Sequence, residues 1–388
     1  MSLHIHDVKR QFERRFGHAP EVVVRAPGRV NIIGEHTDYN HGFVLPMAIE
    51  HETVIAAKRR AGRRLYAFAA NLDRGAEADL DHRARNADEP WIDYVVGVAD
   101  ELAALDLPLA GAELLIAGDV PSACGLSSSA SLEMAALCMF EALGGFRVEG
   151  AEAPRLGQRV ENRFLGLSSG IMDQFISRMG RRGHALFLDC RSFDYELVPV
   201  AFSSATFVIA NTGVARGLTT SKYNERVAQC REAVEGMAKT LGRPGTHLRD
   251  FDMDDLAACR AALSDTAFRR ARHVVSENTR TQAACAALRA GDAVRLGELM
   301  NASDESLRED YEVTCPELDA MTAIARALPG CHGARMTGAG FGGCTISLVG
   351  TDAAPAFRER LLADYRQRTG LQGETFLSMP GDGASRIE

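Results

Sequence analysis

Residues 121–133, PSACGLSSSASLE, join a loop of small residues to a helix that the pattern predicts over residues 127–143. Gly125 permits backbone angles closed to other residues, and Ser127, Ser128 and Ser129 place three hydroxyls at the helix start. Backbone N–H groups there lack intrahelical partners, and the helix dipole adds partial positive charge. The stretch therefore suits a phosphate. An ordinary serine-capped helix explains the same residues equally well, so the rest of the chain must decide.

The totals of the chain limit its class. Its 388 residues exceed the roughly 250–300 at which one core stops growing, so we expect two lobes with a cleft between them. A net charge of -8 argues against a nucleic-acid surface. No apolar run approaches the ~18 residues of a membrane span, and the charged N-terminus lacks a signal core, so we expect a cytoplasmic protein without a membrane partner. Nine cysteines without CxxC spacing indicate reduced thiols.

The segment over residues 25–49, RAPGRVNIIGEHTDYNHGFVLPMAI, mixes charge with apolar runs. It places Arg29, Glu35, His36 and Asp38 within ten residues. A solvated loop explains the charges but not the apolar residues among them. A polar pocket lined from a strand and its turn explains both, and clustered polar groups amid core residues are typical of binding sites.

Two carboxylates flank a predicted break between helices, Glu161 before it and Asp173 after it. Asp173 follows GIM and precedes QFI, so it enters an apolar neighbourhood where an ionised carboxylate needs a partner. Trp91, the one tryptophan, either lines a pocket for a nucleotide base or packs in the core.

Several known motifs are excluded. Gly338, Gly340 and Gly343 satisfy GxGxxG, but a predicted strand follows where a dinucleotide fingerprint opens a helix. Residues 166–170 satisfy GxSxG, but a predicted helix precedes them where a nucleophile elbow needs a strand. The sequence contains no GxxxxGK[ST], so a Walker loop does not hold the phosphates.

Three segments remain, and together they resemble the GHMP kinase family, whose motifs stand in this order: GRVNIIGEHTDYNHGFVLPMAI, PSACGLSSSASLE and MTGAGFGGC. The first segment looks like the signature of the galactokinase branch almost residue for residue, and GIMDQF resembles its catalytic segment. The resemblance spans nearly the whole chain. It implies an α+β, two-lobed GHMP kinase fold with the active site in the cleft between lobes. The N-terminal lobe, residues 1–195, would carry the sugar signature and the phosphate loop, and the C-terminal lobe, residues 196–388, the glycine-rich third motif.

The resemblance also implies a reaction. We expect ATP-dependent phosphorylation of galactose at the C1 hydroxyl to galactose 1-phosphate, with ATP and Mg²⁺ required and the protein a monomer. One alternative is a kinase for another sugar, such as N-acetylgalactosamine or a uronic acid. Another is a non-catalytic sensor of sugar and ATP; the intact Ser129, Ala130 and Asp173 favour an enzyme.

Residue roles follow from the same resemblance, with Trp91 added as the candidate for the nucleotide base. The implied set comprises catalytic Asp173 and Arg29; sugar-binding Glu35, His36, Asp38, Gly170 and Tyr223; nucleotide-binding Gly125, Leu126, Ser127, Ser128, Ser129, Ala130, Trp91 and Gly340; and magnesium-binding Ser129 and Glu161. Asp173 either accepts the sugar proton or orients the hydroxyl, and the adjacent guanidinium favours its ionised form. Asp38 and Tyr223 are expected at the hydroxyls that distinguish galactose from glucose.

The chain departs from the family pattern at three places. Ala123 and Cys124 stand where a GAG run is usual, Ala339 replaces a glycine, and Val227 replaces an arginine. The first two changes are small, so we expect the phosphates still to fit. A thiol at Cys124 predicts sensitivity to oxidation if it is exposed.

Overall fold

The chain alternates helices and strands in two halves, each built on its own sheet. The computed structural model describes residues 4–121, 124–214 and 219–388, with only the backbone at residues 219 and 220. The strands in these residues are β1 Val22–Ile33, β2 Phe43–Arg60, β3 Arg64–Ala69, β4 Arg74–Asp79, β5 Gly111–Gly118, β6 His184–Asp189, β7 Tyr195–Pro199, β8 Ala205–Asn211, β9 Cys331–Thr337, β10 Cys344–Gly350, β11 Glu374–Ser378 and β12 Ser385–Arg386. The α-helices are α1 Ile5–Phe16, α2 Asp93–Ala103, α3 Ser128–Gly144, α4 Glu152–Arg159, α5 Met172–Met179, α6 Thr219–Leu241, α7 Met253–Ala258, α8 Asp265–Ala290, α9 Ala293–Ser306, α10 Pro316–Ala327 and α11 Ala354–Thr369.

The first sheet has the strand order β12-β1-β2-β5-β3-β4, and β6 extends it by pairing with β2 and β7. Its neighbours are antiparallel except β3 and β5. Side chains alternate across β1 because strand residues point to opposite faces. Val22 and Val24 enter the core beneath α2 and α3, whereas Val23 packs against Val8 and Phe12 of α1 on the other face. The sheet is therefore covered by helices on both sides.

The second sheet has the order β11-β8-β10-β9 and is antiparallel throughout. One face packs on α10 and α11. The other face joins the first sheet through a shared apolar core, in which Ile32 and Met47 from β1 and β2 meet Ile209, Leu348 and Leu288. This shared core fixes the edge where loops from both halves converge.

Most of the elements expected from the sequence are present, and the architecture is the expected α+β arrangement in two halves. The helix predicted over residues 127–143 is α3, and residues 338–343 form a turn between β9 and β10. Strand β4, RGAEAD, has only two small apolar residues, Ala76 and Ala78, which pack towards the core, and the strand pairs along the edge of β3.

Strand pairing refines the expected lobe boundary at residue 195. That residue begins β7, which pairs with β6 in the first sheet, so the change of sheet falls between Pro199 and Ala205. The chain also returns at its end, because β12 pairs with β1. The division into residues 1–195 and 196–388 stays a prediction for the domains, and the first sheet takes one strand from beyond it.

Two general features of the structure bear on chemistry. Within the described ranges, no helix combines the length and apolar character that a bilayer crossing requires. No disulfide joins any of the nine cysteines, all of which lie in those ranges.

Candidate active site

A cavity of about 350 Å³ opens where the two halves meet. It contains every residue that the sequence assigned to sugar binding and catalysis, namely Arg29, Glu35, His36, Asp38, Gly170, Asp173 and Tyr223. The serine loop from Gly125 to Ser129 forms one wall, and Gly338 with Ala339 forms another. Segments far apart in the chain thus line one cleft.

Arg29 and Asp173 form a bidentate ion pair in this cavity. Arg29 Nε and Nη2 each donate to one carboxylate oxygen of Asp173, both at 2.7 Å. Arg29 Nη1 donates to the carbonyl of Gly125 in the serine loop. Burial lowers the pKa of Arg29, but the charges of Asp173 and Glu35 outweigh burial, so the pKa rises. The sequence analysis predicted that an ionised Asp173 needs a partner. Arg29 is that partner, and its two bonds fix the carboxylate in one orientation.

Local backbone explains how this pair is aimed. The pairing of β1 with β2 shifts register between Pro27 and Arg29, and such irregularities redirect side chains beside active sites. Asp173 is the second residue of α5, where the positive end of the helix dipole stabilises a carboxylate.

The serines of the phosphate loop have separate partners. Ser127 adopts left-handed backbone angles, with φ 60° and ψ 51°, and its side chain does not cap α3. Its hydroxyl donates instead to Asp173. Ser129 Oγ donates to Glu161 Oε1 at 3.1 Å. The interpretation as an ordinary serine-capped helix is therefore wrong, and the first N–H groups of α3 stay available to an anion.

The carboxylates of Glu35, Asp38 and Asp173 all line this cavity. Burial raises the pKa of Asp38 to about 7, and the charges of Asp173 and Glu35 add to the effect. Gly170 lies directly against this carboxyl: a Cβ at position 170 would stand 1.6 Å from Asp38 Oδ2. Gly170 therefore allows Asp38 into the cavity.

Glu35 connects the first motif to the third. Its Oε1 accepts from the backbone N–H of Gly338 at 2.6 Å and from Thr337 Oγ1 at 3.2 Å, while Oε2 accepts from Asn31 Nδ2 at 2.8 Å. Gly338 opens the turn after β9, so this carboxylate ties the sugar segment to the glycine-rich turn. Ala339, one of the departures from the family pattern, lines the cavity beside it.

Two acidic residues, Glu161 and Glu133, lie near the serine loop. Glu161 stands on a π-helical turn, Val160–Phe164, and burial raises its pKa, with Asp173 adding to the effect. Glu133, fully buried on α3, has a pKa raised well above its ordinary value by burial and by Glu161. Its Oε1 has no hydrogen-bond partner among the described residues. The hydroxyl of Ser129 and these carboxylates are oxygen ligands of the kind that Mg²⁺ prefers, and a cation would offset their charge.

A second cavity, of about 450 Å³, shares Ser128 and Ser129 with the first. Trp91 lines it together with Tyr94 and Leu132, and Trp91 Nε1 donates to Glu89 Oε2 at 2.7 Å. This placement matches the alternative in which Trp91 lines a pocket rather than the core alone.

Two predicted nucleotide residues lie away from both cavities. Ala130 is fully buried in α3. Gly340 has φ +81°, and a Cβ there would stand 2.1 Å from the carbonyl oxygen of Val313, so close packing demands glycine at this position. Their direct contribution to nucleotide binding stays a prediction.

The remaining departures are structurally mild. Cys124 is only 2% exposed and its thiol donates to the carbonyl of Pro121 at 3.0 Å, so the exposure on which oxidation sensitivity depends is lacking. Ala123 lies outside the described residues. Beside Val227, Arg226 binds the carbonyls of Tyr311 and Glu312, both at 2.8 Å.

Sequence reasoning missed several residues of the site. Ser127 was assigned to the phosphates, but its bond to Asp173 was not anticipated. Glu133, Tyr94, Tyr39 and Tyr311 were not considered. Glu133 and Tyr39 lie within quoted motifs, so a polar residue inside a helix and a tyrosine beside Asp38 were the available signals.

Comparison with known proteins assigns this arrangement to a class. Residues 93–181 match the GHMP kinase N-terminal domain, and residues 284–367 match the GHMP kinase C-terminal domain. A mevalonate kinase of Methanococcus jannaschii shares the fold, with a TM-score of 0.65 at 18% identity over 93% of this chain and 98% of that one. Fold and site together define a GHMP kinase.

A narrower match follows from the first motif and from the whole chain. Residues 10–59 match the galactokinase galactose-binding signature. A galactokinase of Chloroflexus aggregans is 46% identical over 97% of this chain and 96% of its own, and one of Homo sapiens is 42% identical over 97% and 95%. The structure of Lactococcus lactis galactokinase complexed with galactose superposes with a TM-score of 0.95 at 39% identity, over 99% of this chain and 100% of that one. The chain belongs to the galactokinase family of sugar kinases.

Proposed function

We propose that the protein transfers the γ-phosphoryl group of ATP to the C1 hydroxyl of galactose, giving galactose 1-phosphate and ADP. The observation that carries this proposal is the bidentate pair of Arg29 and Asp173, set between the sugar segment and the serine loop in one cavity. The family membership supports the substrate, since a relative of known structure was determined with galactose bound.

The reaction forms a bond between the sugar oxygen and the γ-phosphorus and breaks the bond from that phosphorus to the β,γ-bridging oxygen. It needs positioning and charge neutralisation more than a covalent intermediate. Asp173, oriented by Arg29 and Ser127, accepts the hydrogen bond of the attacking hydroxyl. The hydroxyl proton leaves either to Asp173 during transfer or with the product afterwards. Arg29 stabilises negative charge that develops beside the carboxylate.

The phosphates occupy the serine loop in this proposal. The backbone from Gly125 to Ala130, with its left-handed Ser127, offers N–H groups at the start of α3. Ser129 and Glu161 would hold Mg²⁺, which would supply positive charge to offset that of the ATP phosphates. The second cavity, with Trp91 and Tyr94, would take the nucleotide base.

Galactose occupies the acidic side of the cavity. Asp38 and Tyr223 face the hydroxyls that distinguish it from glucose, and Gly170 leaves room for the Asp38 carboxyl. A uronic acid is disfavoured because its carboxylate would meet those of Glu35, Asp38 and Asp173. Monomeric state and cytoplasmic location stay predictions.

A phosphoryl-transfer assay against a sugar panel tests the proposal. The panel contains galactose, glucose, N-acetylgalactosamine and galacturonic acid, with ADP release and sugar phosphate both measured. We expect galactose to give the largest kcat/KM. Turnover of galacturonic acid without turnover of galactose would refute the substrate. Binding of galactose and ATP without any phosphorylated product would refute the enzyme and favour a sensor.

A further inference from the structure

A chain of hydrogen bonds runs from the cavity wall into the protein interior. His36 Nδ1 lies 2.8 Å from Tyr39 Oη, which lies 2.7 Å from Tyr311 Oη. Tyr311 Oη lies 3.1 Å from Cys230 Sγ. The chain therefore links the sugar segment to the π-helical turn Leu307–Tyr311 and to α6.

Each member of this chain is electrically neutral near pH 7. Burial raises the pKa of Tyr39 and Tyr311 well above 10, and it raises the pKa of Cys230 to about 11. Burial lowers the pKa of His36 well below 6.5, and His273 and Arg226 lower it further. The two tyrosines, the thiol and the imidazole thus carry one exchangeable proton each.

Counting protons leaves two arrangements. Four protons serve three hydrogen bonds, so one proton is left over. Tyr39 Oη and Tyr311 Oη have no further partner among the described residues, so a left-over phenol proton would be buried without an acceptor. The left-over proton therefore belongs to His36 or to Cys230, at one end of the chain. If the bonds run from Cys230 towards His36, Tyr39 donates to Nδ1 and the imidazole proton sits on Nε2. If they run the other way, Nδ1 donates to Tyr39 and the thiol proton is left over at the buried end.

The surroundings favour the first arrangement. Imidazole nitrogen accepts an O–H bond well, whereas sulfur is a weak acceptor. The amide of Asn40 already points at Cys230 Sγ from 3.7 Å, while also donating to the carbonyl of His36 at 3.0 Å. His36 Nε2 has no hydrogen-bond partner among the described residues, and His36 lines the cavity.

We propose that the chain of Cys230, Tyr311 and Tyr39 holds His36 in the tautomer protonated on Nε2, so that His36 donates a hydrogen bond to a sugar hydroxyl oxygen. Tyr39 and Tyr311 are then positioning residues for sugar recognition. The ring cannot turn freely, because it also lies 4.8 Å from the ring of Tyr311 and 5.7 Å from that of Tyr223, centroid to centroid. The inference rests on the proposed function only in its choice of a sugar as the acceptor.

Nitrogen NMR of the free protein tests the tautomer directly. Long-range ¹H–¹⁵N spectra of histidine-labelled protein distinguish the two ring nitrogens, and His36→Gln assigns the signal among the 11 histidines. We expect Nε2 to be protonated in the wild type, and both tautomers to appear in Tyr39→Phe. Tyr311→Phe should weaken the preference for the Nε2 tautomer less than Tyr39→Phe does, and Cys230→Ala should weaken it less again. Either variant can replace Tyr39→Phe in the test if that protein fails to fold. A proton on Nδ1 in the wild type, or spectra unchanged in all three variants, would overturn the proposal.

Kinetics then test the link to the sugar. Tyr39→Phe should raise KM for galactose about tenfold, the worth of one hydrogen bond, with kcat and KM for ATP nearly unchanged. Tyr365→Phe is the matched control, because it loses a buried bond from Oη to the carbonyl of Thr212 at 2.9 Å outside the cavity. Equal effects of both variants would contradict a positioning role.

The two tests separate this inference from the proposed function. The NMR measurement needs no turnover, so an Nε2 proton that Tyr39→Phe mobilises supports the chain even if galactose is not the substrate. Normal galactose turnover with an Nδ1 proton leaves the function standing and refutes the inference.

Discussion

Replacing Gly170 by alanine tests the packing that sets the sugar side of the cavity. The added Cβ would stand 1.6 Å from Asp38 Oδ2 and 2.0 Å from its Cγ, roughly 2 Å closer than an ordinary contact. The backbone angles at Gly170 are not in the left-handed region, so alanine is tolerated there apart from this clash. Relief requires the Asp38 carboxyl to leave its place, where it accepts from the N–H of Tyr39 at 3.0 Å.

The size of the effect follows from what Asp38 would lose. At pH 8, where an Asp38 with a pKa of about 7 is ionised, its hydrogen bond from a sugar hydroxyl is worth about 1.5–3 kcal/mol, so we expect KM for galactose to rise about 10- to 150-fold. Overpacking costs about 1–3 kcal/mol of unfolding free energy. KM for ATP should stay near the wild-type value, because the three atoms nearest to the added Cβ all belong to Asp38.

The assay combines steady-state kinetics with urea unfolding. Gly75→Ala is the control, because a Cβ there meets its nearest atoms at 3.6 Å. The double variant with Asp38→Ala removes the clashing carboxyl. It should bind galactose no worse than Asp38→Ala alone and regain the stability that Gly170→Ala loses. A Gly170→Ala enzyme with normal KM and stability would refute this reasoning, and so would additive effects in the double variant.

Three further predictions concern the catalytic carboxylate, the proposed magnesium ligands and the pKa of Asp38. Asp173→Asn should lower kcat about 10²- to 10⁴-fold while the affinity for an ATP analogue stays nearly intact; kcat within a few-fold of the wild type would contradict its role. Ser129→Ala and Glu161→Gln should each raise the Mg²⁺ concentration for half-maximal rate about tenfold, measured at fixed ATP, and an unchanged requirement would exclude them as ligands. The folded-state pKa of Asp38, about 7, lies above the ordinary 3.8, so the folded protein keeps a proton that the unfolded chain loses, and stability falls as pH rises from about 4 to about 7. Relative to the wild type, Asp38→Asn should gain on the order of 2 kcal/mol between pH 5 and pH 8 in urea unfolding, allowing for partial solvent screening; a constant difference would exclude the raised pKa.

Much of the site was readable from the sequence because its signals are local. A glycine turn, a run of serines at a helix start and charges inside apolar segments each reflect the backbone or solvation needs of a few neighbouring residues. The positions of Arg29, Glu35, His36 and Asp38 in one pocket were predictable for this reason. The family resemblance then supplied their roles, and it supplied the two-lobed fold that composition could only suggest.

Other features required the folded chain. Strand β4 has only Ala76 and Ala78 as apolar residues, so its own sequence does not show that it pairs along the edge of β3. The same holds for β12, which pairs with β1 from the opposite end of the sequence. Hydrogen bonds to a neighbouring strand stabilise these segments, and the partner's place is not encoded within them.

The opening stretch shows the same division. The sequence by itself predicted that residues 121–133 run from a loop into a helix and suit a phosphate. Only the tertiary structure decided that Ser127 gives its hydroxyl to Asp173 rather than capping the helix, and that Arg29 holds the same carboxylate from 144 positions away. The physical reason is that hydrogen bonds and close contacts depend on distance and direction in space, and those are set only when the two sheets share a core.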